Sequence, residues 1–130
     1  MSVFPNAVTN ADPLDAGPIY SAGIELCGQP LTLFHAGLPP ASFNESVSLF
    51  VSVDTQDEID DLWEKLTANG GEPGNCGWLK DRFGLSWQVV PTVLGSLLGA
   101  SDRTRAHQAT EAMMQMSKLN IAQLQAAYDR

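Results

Sequence analysis

The 130-residue sequence predicts a single α+β domain made of short strands, one clearly marked helix and a helical C-terminal third. Three observations predict it: a strand-like alternation over residues 46–53, helix start and stop signals around 55–69, and helical patterning in the last third. At this length the chain has room for one hydrophobic core. We therefore expect residues 1–130 to form one domain, with a sheet region at 21–91 and a helical tail at 92–130.

Residues 1–20 are expected to be irregular or to form an edge segment, because three prolines and several Asn, Asp and Gly residues favour turns and extended chain. After them, apolar residues alternate with polar or small ones on both sides of Gly28-Gln29. This pattern predicts a β-hairpin that ends near His35. Pro30 has no N–H for a ladder, so it belongs at the start of its strand or on an edge.

The clearest strand of the sequence runs from Ser46 to Val53. Four aliphatic side chains fall on one face, and three serines and Phe50 fall on the other. A face of three serines and one aromatic ring suits the lining of a cavity, and it equally suits a solvated face. The sequence leaves both interpretations open.

The segment after this strand carries the signals of a helix. Thr55 and Glu58 form a capping box, and apolar residues then recur at i, i+3, i+4 and i+7. A glycine pair, Gly70-Gly71, provides a left-handed stop. These signals predict a helix over 55–69 that buries one apolar stripe.

Residues 78–91 predict two further strands joined by a turn that ends at Gly84. Trp87 and Gln88 are neighbours in the second of these strands, so their side chains point to opposite faces of the sheet. We assign Gln88, rather than Trp87, to the face that lines a pocket.

The helical tail is predicted to hold three helices. Thr92, then Ser101 or Asp102, and then Asn120 occupy the positions of their N-caps. A stripe of Ala and Met at 106–116 suits close packing onto the body of the domain or onto another subunit.

The charge balance excludes some classes of partner. Seven Lys and Arg stand against fifteen Asp and Glu, a formal net charge of −8, which repels phosphate backbones and anionic lipid surfaces. We expect neither nucleic acid nor a membrane as a partner, and a cytoplasmic location. The two cysteines are too few for a disulfide framework, and two histidines leave no His-rich metal site within one chain.

Three runs of the sequence, Phe43–Ser48, Val53–Trp63 and Cys76–Pro91, resemble the PhnB-like proteins. These proteins belong to the glyoxalase/bleomycin-resistance superfamily, also called vicinal oxygen chelate proteins. Many of them carry the name 3-demethylubiquinone-9 3-methyltransferase. The resemblance covers roughly residue 3 to the C-terminus, and the long run that begins at Cys76 is its most specific part.

The resemblance implies a fold of paired βαβββ modules, whose curled mixed sheet surrounds a pocket, with C-terminal helices added. It also implies a strand and a helix before Val3–Asn6, which this sequence does not contain. The first module is therefore expected to be truncated, either natively or in a shortened product. The edge left unpaired would be covered by residues 7–20 or by a second chain, which favours a homodimer.

Metal-using members of the superfamily hold a divalent ion with His, Gln and Glu side chains. By position, the usual His and Glu fall on Ser48 and Gln88 in this sequence. A hydroxyl and a neutral amide are weak ligands on their own. We therefore expect no tightly bound metal and no other cofactor.

The expected ligand pocket combines aromatic walls with two polar contacts. Its residues are Phe34, Ser48, Phe50, Trp78 and Gln88. For the tryptophans, an ordinary place in the core is the alternative. His35, near the end of the hairpin, is the candidate general base, with a structural role as its alternative.

These features predict a small-molecule-binding PhnB-like protein of undetermined substrate, and they leave open whether it is an enzyme. The alternatives are a noncatalytic bleomycin-resistance-type binder, a metal-dependent vicinal oxygen chelate lyase, isomerase or dioxygenase, and the nominal methyltransferase. A methyl donor normally binds in a doubly wound α/β fold with a glycine-rich turn after the first strand, and this sequence lacks that motif.

Overall fold

The computed structural model describes residues 20–35 and 42–130. The chain divides into two compact units, Met1–Ala41 and Ser42–Arg130. The prediction for residues 1–20 lies outside the described residues, apart from Tyr20. Within the described part of the chain, no helix has the length and apolar character needed to cross a bilayer. The assignment of all 130 residues to one domain stays a prediction.

The first unit contains an antiparallel hairpin of β1 (Tyr20–Leu26) and β2 (Gln29–His35). Its two-residue turn consists of Cys27 and Gly28, with φ angles of 50° and 78°. Positive φ at both turn positions is what a tight hairpin with correctly twisted strands requires. The predicted hairpin is confirmed, with its turn one residue earlier than the sequence suggests.

The second unit is built on a four-stranded mixed sheet. Its strands are β3 (Ser48–Val53), β4 (Glu72–Pro73), β5 (Trp78–Lys80) and β6 (Ser86–Pro91). They lie in the order β3-β6-β5-β4, with β3 parallel to β6 and the other pairs antiparallel. With a helix between β3 and β4, this is one complete βαβββ module. The sequence missed β4, because two residues, one of them proline, are too few to show an alternation.

The helix of this module is α1 (Gln56–Thr67). The Thr55 hydroxyl accepts from the Glu58 N–H, and the Glu58 carboxylate accepts in turn from the Thr55 N–H at 2.9 Å, so the predicted capping box is confirmed. A 3-10 turn over Ala68–Gly70 ends the helix. The left-handed stop begins at Asn69, with φ of 56°, one residue before the predicted glycine pair.

Apolar side chains fill the space between α1 and the sheet. Ile59, Leu79 and Val89 are fully buried there, and Trp63 and Trp87 pack against them. The Trp87 indole N–H donates to a carboxylate oxygen of Asp81 at 2.9 Å, which satisfies its polar atom at the edge of this core.

The tail forms α2 (Val93–Leu98), α3 (Arg103–Met114) and α4 (Ile121–Tyr128). Its buried cluster has at its centre Val90, Leu94, Leu97, Ala109, Leu119 and Leu124. Asp102 and Asn120 cap α3 and α4 as predicted.

The prediction that Thr92 caps α2 is wrong. Thr92 already has helical φ and ψ, because β6 runs directly into the helix, and its side chain makes no capping bond. Its hydroxyl donates instead to the Asp54 carboxylate at 2.7 Å, and its N–H donates to the Val53 carbonyl at 2.9 Å. Thr92 therefore ties the end of β6 to the end of β3.

Candidate functional site

The two faces of the four-stranded sheet carry different side chains. The face beneath α1 is apolar, as the burial of Leu79 and Val89 shows. The strand register places the alternate residues on the other side. We call that side the open face, and define it by Ser48, Phe50, Trp78, Lys80, Ser86 and Gln88.

Cross-strand pairing arranges the open face in two rows. In one row Gln88 stands between Phe50 and Trp78, and in the next Ser86 stands between Ser48 and Lys80. The fourth strand extends the second row, since Glu72 pairs with Lys80.

Two polar side chains of the open face bind each other. The Gln88 side-chain N–H donates to the Ser48 hydroxyl oxygen at 2.9 Å, and both residues are half-buried. The bond crosses from β6 to β3, so it fixes the orientation of both groups on the sheet surface.

A cavity of about 240 Å³ lies over β4, β5 and the start of β6; we call it the sheet-face cavity. Its lining includes Glu45, Glu72, Pro73, Trp78, Lys80 and Ser86. An aromatic wall beside a few charged and hydroxyl groups suits a small organic ligand, and a volume below the usual range of about 300–1,000 Å³ limits its size.

Lys80 stands between two carboxylates at this cavity. Its ammonium lies 2.6 Å from a carboxylate oxygen of Glu45. The hydrogen bond from Lys80 holds the pKa of Glu45 below its ordinary value, and the same bond raises the pKa of Lys80. The charge of Glu72 raises the Lys80 pKa further. Glu45 and Lys80 therefore form a charged pair at neutral pH.

Ser86 is the buried polar residue of the site. It is 1% exposed, and its hydroxyl oxygen has no hydrogen-bond partner among the residues that the structure describes. Leaving a buried hydroxyl unpaired costs about 1–3 kcal/mol. The sheet-face cavity thus presents an unsatisfied polar atom in its wall.

The structure brings four of the five predicted pocket residues to one sheet face. Ser48, Phe50, Trp78 and Gln88 all belong to the open face, and Trp78 also lines the cavity. Phe34 lies instead in β2 of the first unit. His35, the candidate general base, ends that same strand.

Sequence reasoning missed the charged part of the site. Lys80 and Ser86 lie inside the Cys76–Pro91 run, and counting back two residues from Gln88 places Ser86 on the same face. Glu45 comes from the loop before β3, and Glu72 from the strand that the sequence does not reveal. Nothing local in the sequence brings these carboxylates to Lys80.

The described side chains of the open face do not form the donor set of a chelated metal. Within the described ranges, 20–35 and 42–130, no three or more His, Cys, Asp or Glu side chains form a group that could hold one. Ser48 and Gln88, at the positions implied for ligands, are neutral and already bound to each other. Divalent ions prefer anionic or imidazole ligands over such a pair.

Comparison with known proteins gives a family match and a structural match. The family model described as 3-demethylubiquinone-9 3-methyltransferase matches residues 2–90. A solved PhnB protein from Bacillus cereus, described as a candidate 3-demethylubiquinone-9 3-methyltransferase, is 25% identical, with a TM-score of 0.55 over 71% of this chain and 78% of its own. A Pseudomonas aeruginosa structure is 22% identical, with a TM-score of 0.49 over 68% of this chain and 73% of its own. No curated protein matches the sequence.

Proposed function

The chain belongs to the 3-demethylubiquinone-9 3-methyltransferase family, the PhnB-like proteins, and on that premise we propose that it binds a small organic molecule on the open face of its four-stranded sheet. The binding is of the glyoxalase/bleomycin-resistance type and needs no tightly bound metal. The observation that carries the proposal is the sheet-face cavity, with Trp78 in its wall and the unpaired Ser86 hydroxyl buried beside it.

The chemistry of the side chains supports binding without a metal. A chelate enzyme needs ligands that stay open toward the ion and an electron-rich donor set. The Gln88 side-chain N–H instead donates a hydrogen bond to the Ser48 hydroxyl, and the row that holds Ser48 also holds the cation Lys80. These contacts support a site that recognises its ligand by hydrogen bonds and by the shape of the cavity.

The family name points to methyl transfer. The connection between β3 and α1 lacks the feature that binds a methyl donor, so it favours a different ligand. β3 passes into α1 through Asp54 and Thr55, so no glycine-rich turn stands between this strand and its helix. Methyl donors ordinarily bind at such a turn in a doubly wound fold. S-adenosylmethionine is therefore a test compound rather than the proposed ligand, and His35 stays a candidate base without an assigned reaction.

We propose a homodimer as the working form. Phe43, Val47 and Phe50 are 59%, 64% and 60% exposed, although all three are large and apolar. They lie on β3 or on the loop before it, and β3 is a terminal strand of the four-stranded sheet. An exposed apolar edge of this kind supports pairing with a second copy. A cytoplasmic location also stays a prediction.

The three tryptophans make a direct test possible. Trp78 lines the sheet-face cavity, whereas Trp63 and Trp87 pack on the α1 side. Indole N–H signals of the full ¹⁵N-labelled chain are recorded, after chelator treatment, against a library of organic amines, acids, alcohols and esters that includes S-adenosylmethionine. We expect library members to shift the Trp78 signal and to leave the other two in place.

Three results would contradict this proposal. The first is a library in which no compound moves the Trp78 signal. The second is a shift that requires added divalent metal, or stoichiometric metal in elemental analysis of protein purified without chelator. Either result favours a metal-dependent vicinal oxygen chelate enzyme. The third is a shift produced by S-adenosylmethionine alone, which favours the methyltransferase.

A further inference from the structure

The charges around the sheet-face cavity are unequal. Two carboxylates, Glu45 and Glu72, face one ammonium, that of Lys80, so the lining carries one net negative charge. Glu45 already holds Lys80 at 2.6 Å. Glu72 makes none of the ion pairs found among the described residues. The Glu72 carboxylate is therefore available to bind a positively charged ligand, whereas the charge of Lys80 is already neutralised by Glu45.

The hydroxyl of Ser86 adds a hydrogen-bond acceptor beside Lys80, in the same row of the open face. It lies on β6, buried and without a hydrogen-bond partner among the described residues, one strand away from Lys80. A ligand that donates a hydrogen bond to this oxygen removes the cost of its burial. Trp78, on the same face, supplies an aromatic wall, and aromatic faces attract cations.

We infer that the sheet-face cavity is selective for a small organic cation, a primary ammonium or a similar protonated amine, whose N–H groups donate to the Glu72 carboxylate and the Ser86 hydroxyl. This inference rests on the proposed function, because it names the ligand class of the same site. An anionic ligand has to displace Glu45 from Lys80 and then lies beside the charge of Glu72. Breaking the ion pair between Glu45 and Lys80 and the repulsion from Glu72 both weaken the binding of an anion.

Three benzyl and phenyl probes of similar size differ in charge: benzylamine, benzyl alcohol and benzoate. Their affinities for the full chain are measured by titration at low salt, following the Trp78 indole signal, with Trp63 and Trp87 as internal controls. We expect benzylamine to bind about tenfold more tightly than benzyl alcohol, since hydrogen bonds to charged groups are the stronger ones. Benzoate is expected to bind most weakly, and added salt to reduce the advantage of the amine.

Two variants assign the contacts. Glu72→Gln is expected to weaken benzylamine about fivefold and to leave benzyl alcohol unchanged, as expected for the loss of one partly exposed charge. Ser86→Ala is expected to weaken both probes, because both donate to its oxygen. Glu64→Gln, which removes an exposed carboxylate from α1, is the matched control and leaves all three affinities unchanged.

The outcomes separate this inference from the proposed function. Preference for benzoate, equal binding of all three probes, or an unchanged benzylamine affinity in Glu72→Gln overturns the inference while the cavity still binds small molecules. If no probe binds but an uncharged or anionic library compound shifts the Trp78 signal, the inference again fails and the proposed function stands. If neither the probes nor the library moves that signal, both fail.

Discussion

The two faces of the four-stranded sheet are made by the same strands, yet they have opposite character. Beneath α1, Ile59, Leu79 and Val89 are at most 2% exposed and belong to one apolar cluster. On the open face, Phe50 is 60% exposed, while Ser86 is buried with an unpaired hydroxyl. The first face is buried and apolar, as in a stable core. The second face exposes an aromatic ring and buries a hydroxyl that has no hydrogen-bond partner among the described residues.

This difference separates stability from function within one module. Apolar area removed from water supplies the free energy of folding, and α1 covers one face for that purpose. Exposed aromatic rings and unpaired buried hydroxyls reduce stability or contribute nothing to it, so their presence together supports the proposed binding surface. Substitutions matched across the two faces test this division.

The largest effect is expected from Ile59→Ala on the covered face. Removing a fully buried isoleucine side chain costs about 2–5 kcal/mol of unfolding free energy. Urea unfolding followed by tryptophan fluorescence measures it, since all three tryptophans lie in the second unit. Ile59→Val is the graded control, with a loss of about 1 kcal/mol. A loss below that value for Ile59→Ala means that the covered face is not the core.

A substitution on the open face is expected to change the free energy of unfolding in the opposite direction. Ser86→Ala on the open face is expected to raise the free energy of unfolding of the ligand-free protein by about 1–2 kcal/mol, because an unpaired buried hydroxyl is removed. Ser48→Ala is the matched control and is expected to lower stability, because it deletes the hydrogen bond with Gln88. The same urea experiment measures both. Destabilisation by Ser86→Ala would show that its hydroxyl is satisfied and that the open face obeys the rules of the core.

The cap of α1 gives a smaller effect on the covered side. Thr55→Ala removes the N-cap hydroxyl that accepts from the Glu58 N–H, at a cost of about 1 kcal/mol. Urea unfolding at pH 7 measures this loss. Thr55→Ser keeps the hydroxyl and is expected to retain the stability of the parent chain.

The cap also predicts a pH dependence. Hydrogen bonds from Thr55 and from the Asp54 N–H hold the pKa of Glu58 below its ordinary value of 4.5. Its stabilising contribution is therefore complete above that pH and is lost as pH falls through the lowered pKa. We expect the stability difference between the parent chain and Glu58→Gln to shrink below pH 4.5, measured by urea unfolding across pH 7 to 3. A difference that grows on acidification contradicts this assignment.

The smallest effect on folding is expected from Phe50→Ser. Its ring is mostly exposed, so the free energy of unfolding changes by less than about 0.5 kcal/mol when measured on dilute, monomeric protein. Light scattering at higher concentration tests the proposed contribution of Phe50 to the dimer, since loss of this ring is expected to favour the monomer. A large loss of folding stability in the monomer would mean that this ring is part of the core.

Local sequence signals were sufficient for much of the fold. The capping box at Thr55, the turn ending at Gly84 and the caps at Asp102 and Asn120 each involve residues within a few positions of one another. The strand alternation likewise placed the side chains of Gln88 and Trp87 on opposite faces of the sheet, and Trp87 packs on the α1 side. The local rule failed at Thr92, because a contact with Asp54, 38 residues earlier, replaced the cap.

The candidate site was only partly visible in the sequence. Ser48 and Gln88 were selected through the family resemblance, and the structure adds that they bind each other across two strands. Glu45 and Lys80 are 35 positions apart, and their 2.6 Å contact depends on the sheet order. No periodicity or motif reports such a pair, since charge pairing at this distance in sequence is a product of topology.

The sequence by itself determined the composition of each face, because strand side chains alternate with a period of two and the hydrophobic pattern selects which side is buried. It also determined the starts of α1, α3 and α4, and the family. Only the tertiary structure decided which strands are neighbours, and with that which polar residues of the open face meet. The cavity with Glu45, Glu72, Lys80 and Ser86 exists because β5 lies between β4 and β6, and non-local pairing of this kind is decided by the folded sheet as a whole.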